Sequence, residues 1–282
     1  MDIKLQKINN IEVRPIPLKS KKQQPIKGFE LFPELYANIF ICSKKKTGKT
    51  TIINTILNRC MGKDTKLIVF STTYQKDKNM KNIIKKWKKK NTVLTYHNIK
   101  SADGVDELDQ IINTLGDTKD ESDSDESDDS DDDKRELSFC CFDTGGEPET
   151  IPRKRKSKYI APEYIFVLDD LADELRLKSV YKLLSTNRHY KCKVILSNQW
   201  LRSIQPNSRR QLDYLLLLQG HSDEKLIEIY NELDLTIDLQ CFIKMYKQIT
   251  YNKRYSFLYV DILDGNYRQN FNTKLNINQV CN

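Results

Sequence analysis

The chain has 282 residues and a formal charge of +8, a length that suits one α/β domain carrying insertions. Its 38% hydrophobic and 9% aromatic content supplies a sizeable core and excludes wholesale disorder, although 30% of the residues are charged. The longest purely apolar runs, such as Tyr164–Leu168 and Tyr214–Leu218, are five residues. A bilayer-spanning helix needs about 20, so no membrane insertion is expected.

In chain order, residues 1–28 read as an N-terminal arm bearing Pro15, Pro17, Pro25 and several lysines, and the core is expected to begin near Phe29. Hydrophobic patterning then predicts strand Asn38–Cys42, helix Lys49–Cys60, strand Lys66–Ser71, helix Asp77–Lys90, strand Thr92–Tyr96 and helix Asp103–Leu115. This alternation is the mark of a parallel sheet covered by helices. An interruption follows at about 116–157. Within it, Asp117–Asp133 holds eleven acids against one lysine, which leaves +18 on the rest of the chain. Such a run has nothing to bury and repels itself, so a disordered insert is expected. The basic block Arg153–Lys158 lies just beyond it. The acidic run reads as a solvated loop, or as a DNA mimic that shields the basic surface until DNA displaces it. The pattern resumes with strand Tyr164–Asp169, helix Leu175–Asn187, strands Lys193–Asn198 and Tyr214–Gln219, helices within Asp223–Gln248, and a last strand Tyr255–Asp264. The domain is thus expected over 29–282.

The seven cysteines are odd in number and lack C-x-x-C spacing, and Met1-Asp2-Ile3-Lys4 opens no apolar signal region. A reducing, intracellular compartment with cysteines in the core is the expectation.

The strongest local signal is Ser43-Lys44-Lys45-Lys46-Thr47-Gly48-Lys49-Thr50-Thr51, which joins an apolar strand to a helix. It reads as a P-loop for ATP: backbone N–H groups at the helix start cradle phosphate, Lys49 reaches the β and γ phosphates, and the Thr50 hydroxyl ligates Mg²⁺. Ser43 stands where the motif has its first glycine. The run Tyr164–Leu168 ending in Asp169-Asp170 reads as Walker B. Asp169 is its metal-side acid, and Asp170 is placed to polarise an attacking water. A second acid favours a hydrolase over a small-molecule kinase. Strand Lys193–Asn198 runs into Gln199, the candidate γ-phosphate sensor. Arg188 and Arg209 are candidate arginine fingers. The blocks Lys85–Lys90 and Arg153–Lys158 are candidate phosphate contacts, and Trp87 is a core residue rather than a base stacker.

Taken together, Ser43–Thr51, Leu168-Asp169-Asp170, Asn187-Arg188-His189, Leu196-Ser197-Asn198-Gln199 and Ser208-Arg209 resemble the DNA-packaging ATPases of large DNA viruses and virophages, within the FtsK-HerA superfamily. The resemblance implies a RecA-like core of the ASCE group, in which another strand lies between the two motif strands. It also implies ATP hydrolysis coupled to double-stranded DNA translocation, a pentameric or hexameric ring, and a capsid or portal partner. The implied location is the host cytoplasm or virus factory, or association with the virion. Arg209 is then the finger expected to act in trans, with Arg188 the runner-up. A nucleotide or polynucleotide kinase and a non-enzymatic nucleotide switch are the rival readings.

Overall fold

The computed structural model describes residues 24–120, 159–251 and 255–276. Most of the N-terminal arm, the acidic run from residue 121 onward and the block Arg153–Lys158 lie outside the described residues.

The elements in order are β1 (Asn38–Cys42), α1 (Lys49–Cys60), β2 (Lys66–Ser71), α2 (Lys78–Lys88), β3 (Val93–Tyr96), α3 (Glu107–Asp120), β4 (Tyr164–Asp169), α4 (Lys178–Thr186), β5 (Cys192–Asn198), α5 (Pro206–Arg209), β6 (Tyr214–Leu218), α6 (Asp223–Leu233), α7 (Leu239–Tyr251), β7 (Phe257–Asp261), β8 (Asn266–Gln269) and β9 (Thr273–Lys274). They build one nine-stranded sheet of order β3-β2-β4-β5-β1-β6-β7-β8-β9. The pairings from β3 through β6 are parallel, and β7, β8 and β9 add on antiparallel. The chain therefore has the α/β fold with a mainly parallel central sheet that its patterning predicts. β5 lies between the P-loop strand β1 and the Walker B strand β4, as the ASCE resemblance implies.

Strand side chains alternate between two apolar layers. Ile39, Ile41, Leu67, Val69, Ile165, Val167 and Ile195 pack against α1 and α2 through Ile53, Ile56, Met80, Ile84 and Trp87. Phe40, Ile68, Phe70, Phe166, Leu168, Val194 and Leu196 pack against α3, α4, α6 and α7 through Leu108, Leu183, Leu226 and Phe242. Both faces are covered, which explains why the central strands are apolar throughout rather than alternating. Trp87 belongs to this core.

Several boundaries differ from expectation for local reasons. Gly104 adopts a left-handed φ of 81°, and Asp106 caps α3 by accepting from Asp109 N at 2.9 Å, so that helix starts at Glu107 and not Asp103. It continues to Asp120, past the expected start of the insert at 116. The helix expected from Leu175 is a 3₁₀ turn at Ala172–Arg176 followed by α4. The last strand expected over Tyr255–Asp264 is the shorter β7, and two strands that the patterning did not predict follow it: Gly265 (φ 64°) turns the chain into β8, and Asn270 (φ 53°) turns it into β9. Phe29 is exposed, so the core starts at Leu31 and Phe32. Cys42, Cys60 and Cys192 are buried thiols, whereas Cys241 is disulfide-bonded, a departure from the expectation. Among the described residues, no helix is long and apolar enough to cross a membrane.

Two buried polar residues fix the edge from which β1 departs. Asn38 Nδ2 donates to Leu184 O at 2.8 Å and Gln211 O at 2.7 Å, while Asn38 N donates to Asp213 Oδ2 at 2.7 Å. Lys193 Nζ donates to Glu34 O at 2.7 Å beside the Phe32 ring, and burial pulls the lysine below its ordinary pKa. Replacing Asn38 by Ala strands two carbonyls. We expect Asn38→Ala to lower unfolding stability by about 2 to 4 kcal/mol. In urea denaturation this is a fall in midpoint with an unchanged slope.

Candidate functional site

β1 delivers the chain to its C-terminal edge, where Ser43 N donates to Asn198 O at 3.0 Å and so ties the loop to the end of β5. Ser43 is buried and is not among the residues with positive φ. Its Cβ is therefore tolerated without left-handed strain, and the missing first glycine is no obstacle. Two later positions make the turn: Lys46 has φ 65° and Gly48 has φ 104°. Gly48 is required twice over, because a Cβ there would also stand 3.0 Å from the Tyr255 ring. Thr47 Oγ1 donates to Lys44 O at 2.7 Å and stiffens the loop. α1 then begins at Lys49, with a cap residue that has no side chain to offer its first turn. Those N–H groups and the positive helix end are suited to phosphate.

Strand register brings the acids to this loop. Ser71, Asp169 and Ser197 are level across β2, β4 and β5, one row from the Cys42 and Asn198 pair. Lys49 Nζ lies 3.0 Å from Asp169 Oδ1 and 2.9 Å from Asp170 Oδ2. Burial opposes the lysine's charge, but the two carboxylates outweigh it and hold Lys49 above its ordinary pKa. Asp169 is buried, and desolvation lifts its carboxyl above the usual range against the pull of Lys49. Asp170 sits in the left-handed region at φ 55°, with its N–H donating to Ser197 O at 3.0 Å and its carbonyl accepting from Thr72 Oγ1 at 3.2 Å. Such a conformation costs about 1 kcal/mol or more outside glycine and turns the second acid off the strand toward Lys49.

These groups line a cavity of about 880 Å³ shared by Lys44, Lys46, Gly48, Lys49, Thr50, Thr51, Asp169 and Asp170. The same cavity contains residues that sequence reasoning missed. Asp77 caps α2 through Oδ1 and has Oδ2 3.4 Å from Thr50 Oγ1. Tyr255, Phe257 and Phe271 form an apolar wall on the far side. Asp77 carried only a helix-cap signal, and the aromatics arrive from the C-terminal meander through tertiary packing alone. The donors here are hard oxygens, two or three carboxylates and a hydroxyl, which fits Mg²⁺ held jointly with phosphates. Among the described residues, no cluster of three or more His, Cys, Asp or Glu forms a dedicated metal cage.

The remaining candidates lie elsewhere. Gln199 lines an adjoining recess with Lys44 and Lys45, and its carbonyl accepts from Cys42 Sγ at 3.4 Å and from Lys225 Nζ. Arg209, the finger expected to act in trans, is buried in this chain: its Nε donates to Ile204 O at 3.1 Å and its guanidinium pairs with Glu232. The ion pair draws the side chain into its own subunit. Arg188 is 62% exposed and lies 3.9 Å from Asp213 at the opposite, N-terminal edge of the sheet. It cannot serve the ATP cavity of its own chain.

Residues 136–275, just under half of the chain, match the family model described as Poxvirus A32 protein. The match spans Walker B through β9, and it bears out the resemblance to viral packaging ATPases. No curated protein sequence matches the chain. Among solved structures, B204, the DNA-packaging ATPase from Sulfolobus turreted icosahedral virus, is 14% identical with a TM-score of 0.50, covering 83% of this chain and 96% of that one, and shares the fold. The genome packaging NTPase B204 from Sulfolobus turreted icosahedral virus 2, in complex with ATP-gammaS, is 16% identical with a TM-score of 0.47, covering 84% and 98%.

His221 braces the P-loop strand from behind, with Nε2 3.2 Å from Cys42 O and its N–H donating to Tyr246 Oη at 3.0 Å. Burial, then the charge of Lys225, depress its pKa to about 4. The unfolded chain therefore binds this proton first as pH falls, so stability declines between pH 6.5 and 4. A shift of that size is worth about 3 kcal/mol once complete. We expect thermal stability to fall across this window, and His221→Gln to flatten that part of the profile.

Proposed function

We propose that this chain, an ATPase related to the Poxvirus A32 protein family, drives double-stranded viral genome DNA into a capsid by hydrolysing ATP to ADP and phosphate in a ring oligomer. The observation that carries the reading is the Lys49 ammonium within 3.0 Å of both Asp169 and Asp170 at a strand–loop–helix turn. The +18 charge outside Asp117–Asp133 supports a polyanionic substrate. The printed descriptions of the B204 proteins, as a DNA-packaging ATPase and a genome packaging NTPase, point the same way.

In this reading, Ser43–Thr51 wraps the phosphates, with N–H groups of the loop and of the first turn of α1 as donors. Lys49 turns from the carboxylates to the β and γ phosphates and meets charge that develops as the terminal bond breaks. Thr50 and Asp169 hold Mg²⁺, which neutralises phosphate charge when bound. Asp170 accepts a proton from, and orients, the attacking water. Its partly exposed position allows that more readily than the buried Asp169 does. Gln199 stands at the end of β5 as sensor, linked to the loop through Cys42. The aromatic wall of Tyr255, Phe257 and Phe271 suits the flat apolar face of a purine. Arg188, exposed on the edge away from its own cavity, is the residue we assign to act in trans on a neighbour's ATP in a ring. A single ATPase domain over 29–282, a host-cytoplasm or virus-factory location and a capsid or portal partner complete the proposal.

Lys49→Ala should abolish phosphate release, and Asp170→Asn should stop turnover while ATP affinity stays within about threefold, because the metal-side acid remains. ATP affinity lost in Asp170→Asn reverses the roles of the two acids. The arginines separate by readout. Arg209→Ala removes a buried guanidinium from Ile204 O and Glu232, which keeps Arg202 at 3.5 Å, and should lower stability by about 1 to 3 kcal/mol, whereas Arg188→Ala should spare folding and cut turnover by about 10³-fold or more. Mixing Arg188→Ala with Lys49→Ala should restore part of the DNA-stimulated hydrolysis in assembled rings. Rings that show no recovery count against action in trans.

A further inference from the structure

A second recess of about 410 Å³ opens beside the ATP cavity on the same sheet edge, lined by Lys44, Lys45, Gln199, Trp200, Ser222 and Lys225. Lys44 lines both openings, so the two meet at the P-loop itself. The anomaly is Trp200, which is 53% exposed although it follows directly from a buried strand end. It is held there deliberately. Lys225 Nζ lies 3.9 Å from the ring centroid and donates to Gln199 O, and Ser203 Oγ donates to Trp200 O at 2.7 Å. The Lys44 stem packs against Gly220, where a Cβ would come within 3.2 Å of Lys44 Cδ. The result is an aromatic ring on a fixed cation, with two exposed lysines beside it.

Charge selects the occupant. No acidic residue is among those lining the recess, and of the acids beside it on α6, Asp223 pairs with Lys247 at 2.6 Å and Glu228 with Arg202 at 2.8 Å, while Glu224 is exposed. A basic second copy of this chain is a poor match, whereas a polyanion whose sugars present C–H faces between phosphates suits both lysine and tryptophan. We infer that this recess binds the sugar–phosphate backbone of double-stranded DNA, so that the P-loop faces ATP on one side and DNA on the other. The inference rests on the proposed DNA motor and adds where the duplex touches it. Contacts of this kind carry no base readout, as a motor that moves along any sequence requires. The shared loop also supplies a short route by which phosphate contacts at Lys44 and Lys45 bear on Lys49.

The chain has two tryptophans, and Trp87 is buried, so fluorescence reports on Trp200. Duplex DNA of random sequence should protect the full-length protein from acrylamide quenching. Trp200→Ala should weaken duplex binding at least about fivefold and lower DNA-stimulated hydrolysis, with hydrolysis in the absence of DNA unchanged. Trp200→Phe should recover most of the affinity. Lys45→Gln should reduce the slope of log affinity against log salt by about 1. Duplex binding by the parent protein with unaltered quenching, together with full binding by Trp200→Ala, overturns the recess and leaves the motor standing. Absence of duplex binding by the parent protein overturns the motor and the recess with it. A drop in oligomer mass caused by Trp200→Ala without DNA identifies the recess as a subunit contact and also overturns the inference.

Discussion

The rest of the site depends on one electrostatic arrangement, a lysine at a helix start shared between two adjacent carboxylates at a strand end. Asp169 is buried among apolar strands, where an unpaired charge would be costly, and Lys49 is the cation that makes its ionised form tolerable. The ammonium can reach both acids only because β5, β1 and β4 hold register to a single row at the C-terminal edge. Sheet geometry therefore sets the distance on which phosphate chemistry would turn. In the proposed reading the same pairing makes the lysine a movable charge: phosphate would compete with carboxylate for it, and a hard cation would take its place at the acids.

Around that centre, rigidity is distributed in layers. Ser43 is tied to Asn198, Cys42 to Gln199 and His221, and the Lys44 carbonyl to Thr47, so the loop is braced against both neighbouring strands. The apolar faces of β1, β4 and β5 then transmit this bracing to helices on both sides. At the site, left-handed backbone falls where it redirects chemistry. Lys46 and Gly48 shape the turn, and Asp170 leaves its strand in a left-handed conformation that brings its carboxylate to Lys49.

Much of this was legible in the sequence because parallel strands buried on both faces leave short continuous apolar runs, and because the P-loop and Walker B motifs are local. β1, α1, β2 and β4 follow the predicted bounds for that reason. β8 and β9 were not: Asp264-Gly265 signals a turn, but the four- and two-residue strands beyond it are too short to show a pattern. Nor was the environment of Arg209. Its partner Glu232 comes from α6, so an arginine read as a surface finger is an internal tie. Asp77 and the aromatic wall reach the cavity from distant segments, which no local spacing encodes.

The central claim is that this pairing of lysine and two acids hydrolyses ATP in response to DNA. Phosphate release by the wild-type chain, followed with and without duplex DNA, tests it most directly. The account predicts free phosphate from ATP and an increase on adding duplex of any sequence. Transfer of the γ-phosphate to an acceptor in place of release, or ATP bound with no turnover whether or not duplex is present, would contradict it.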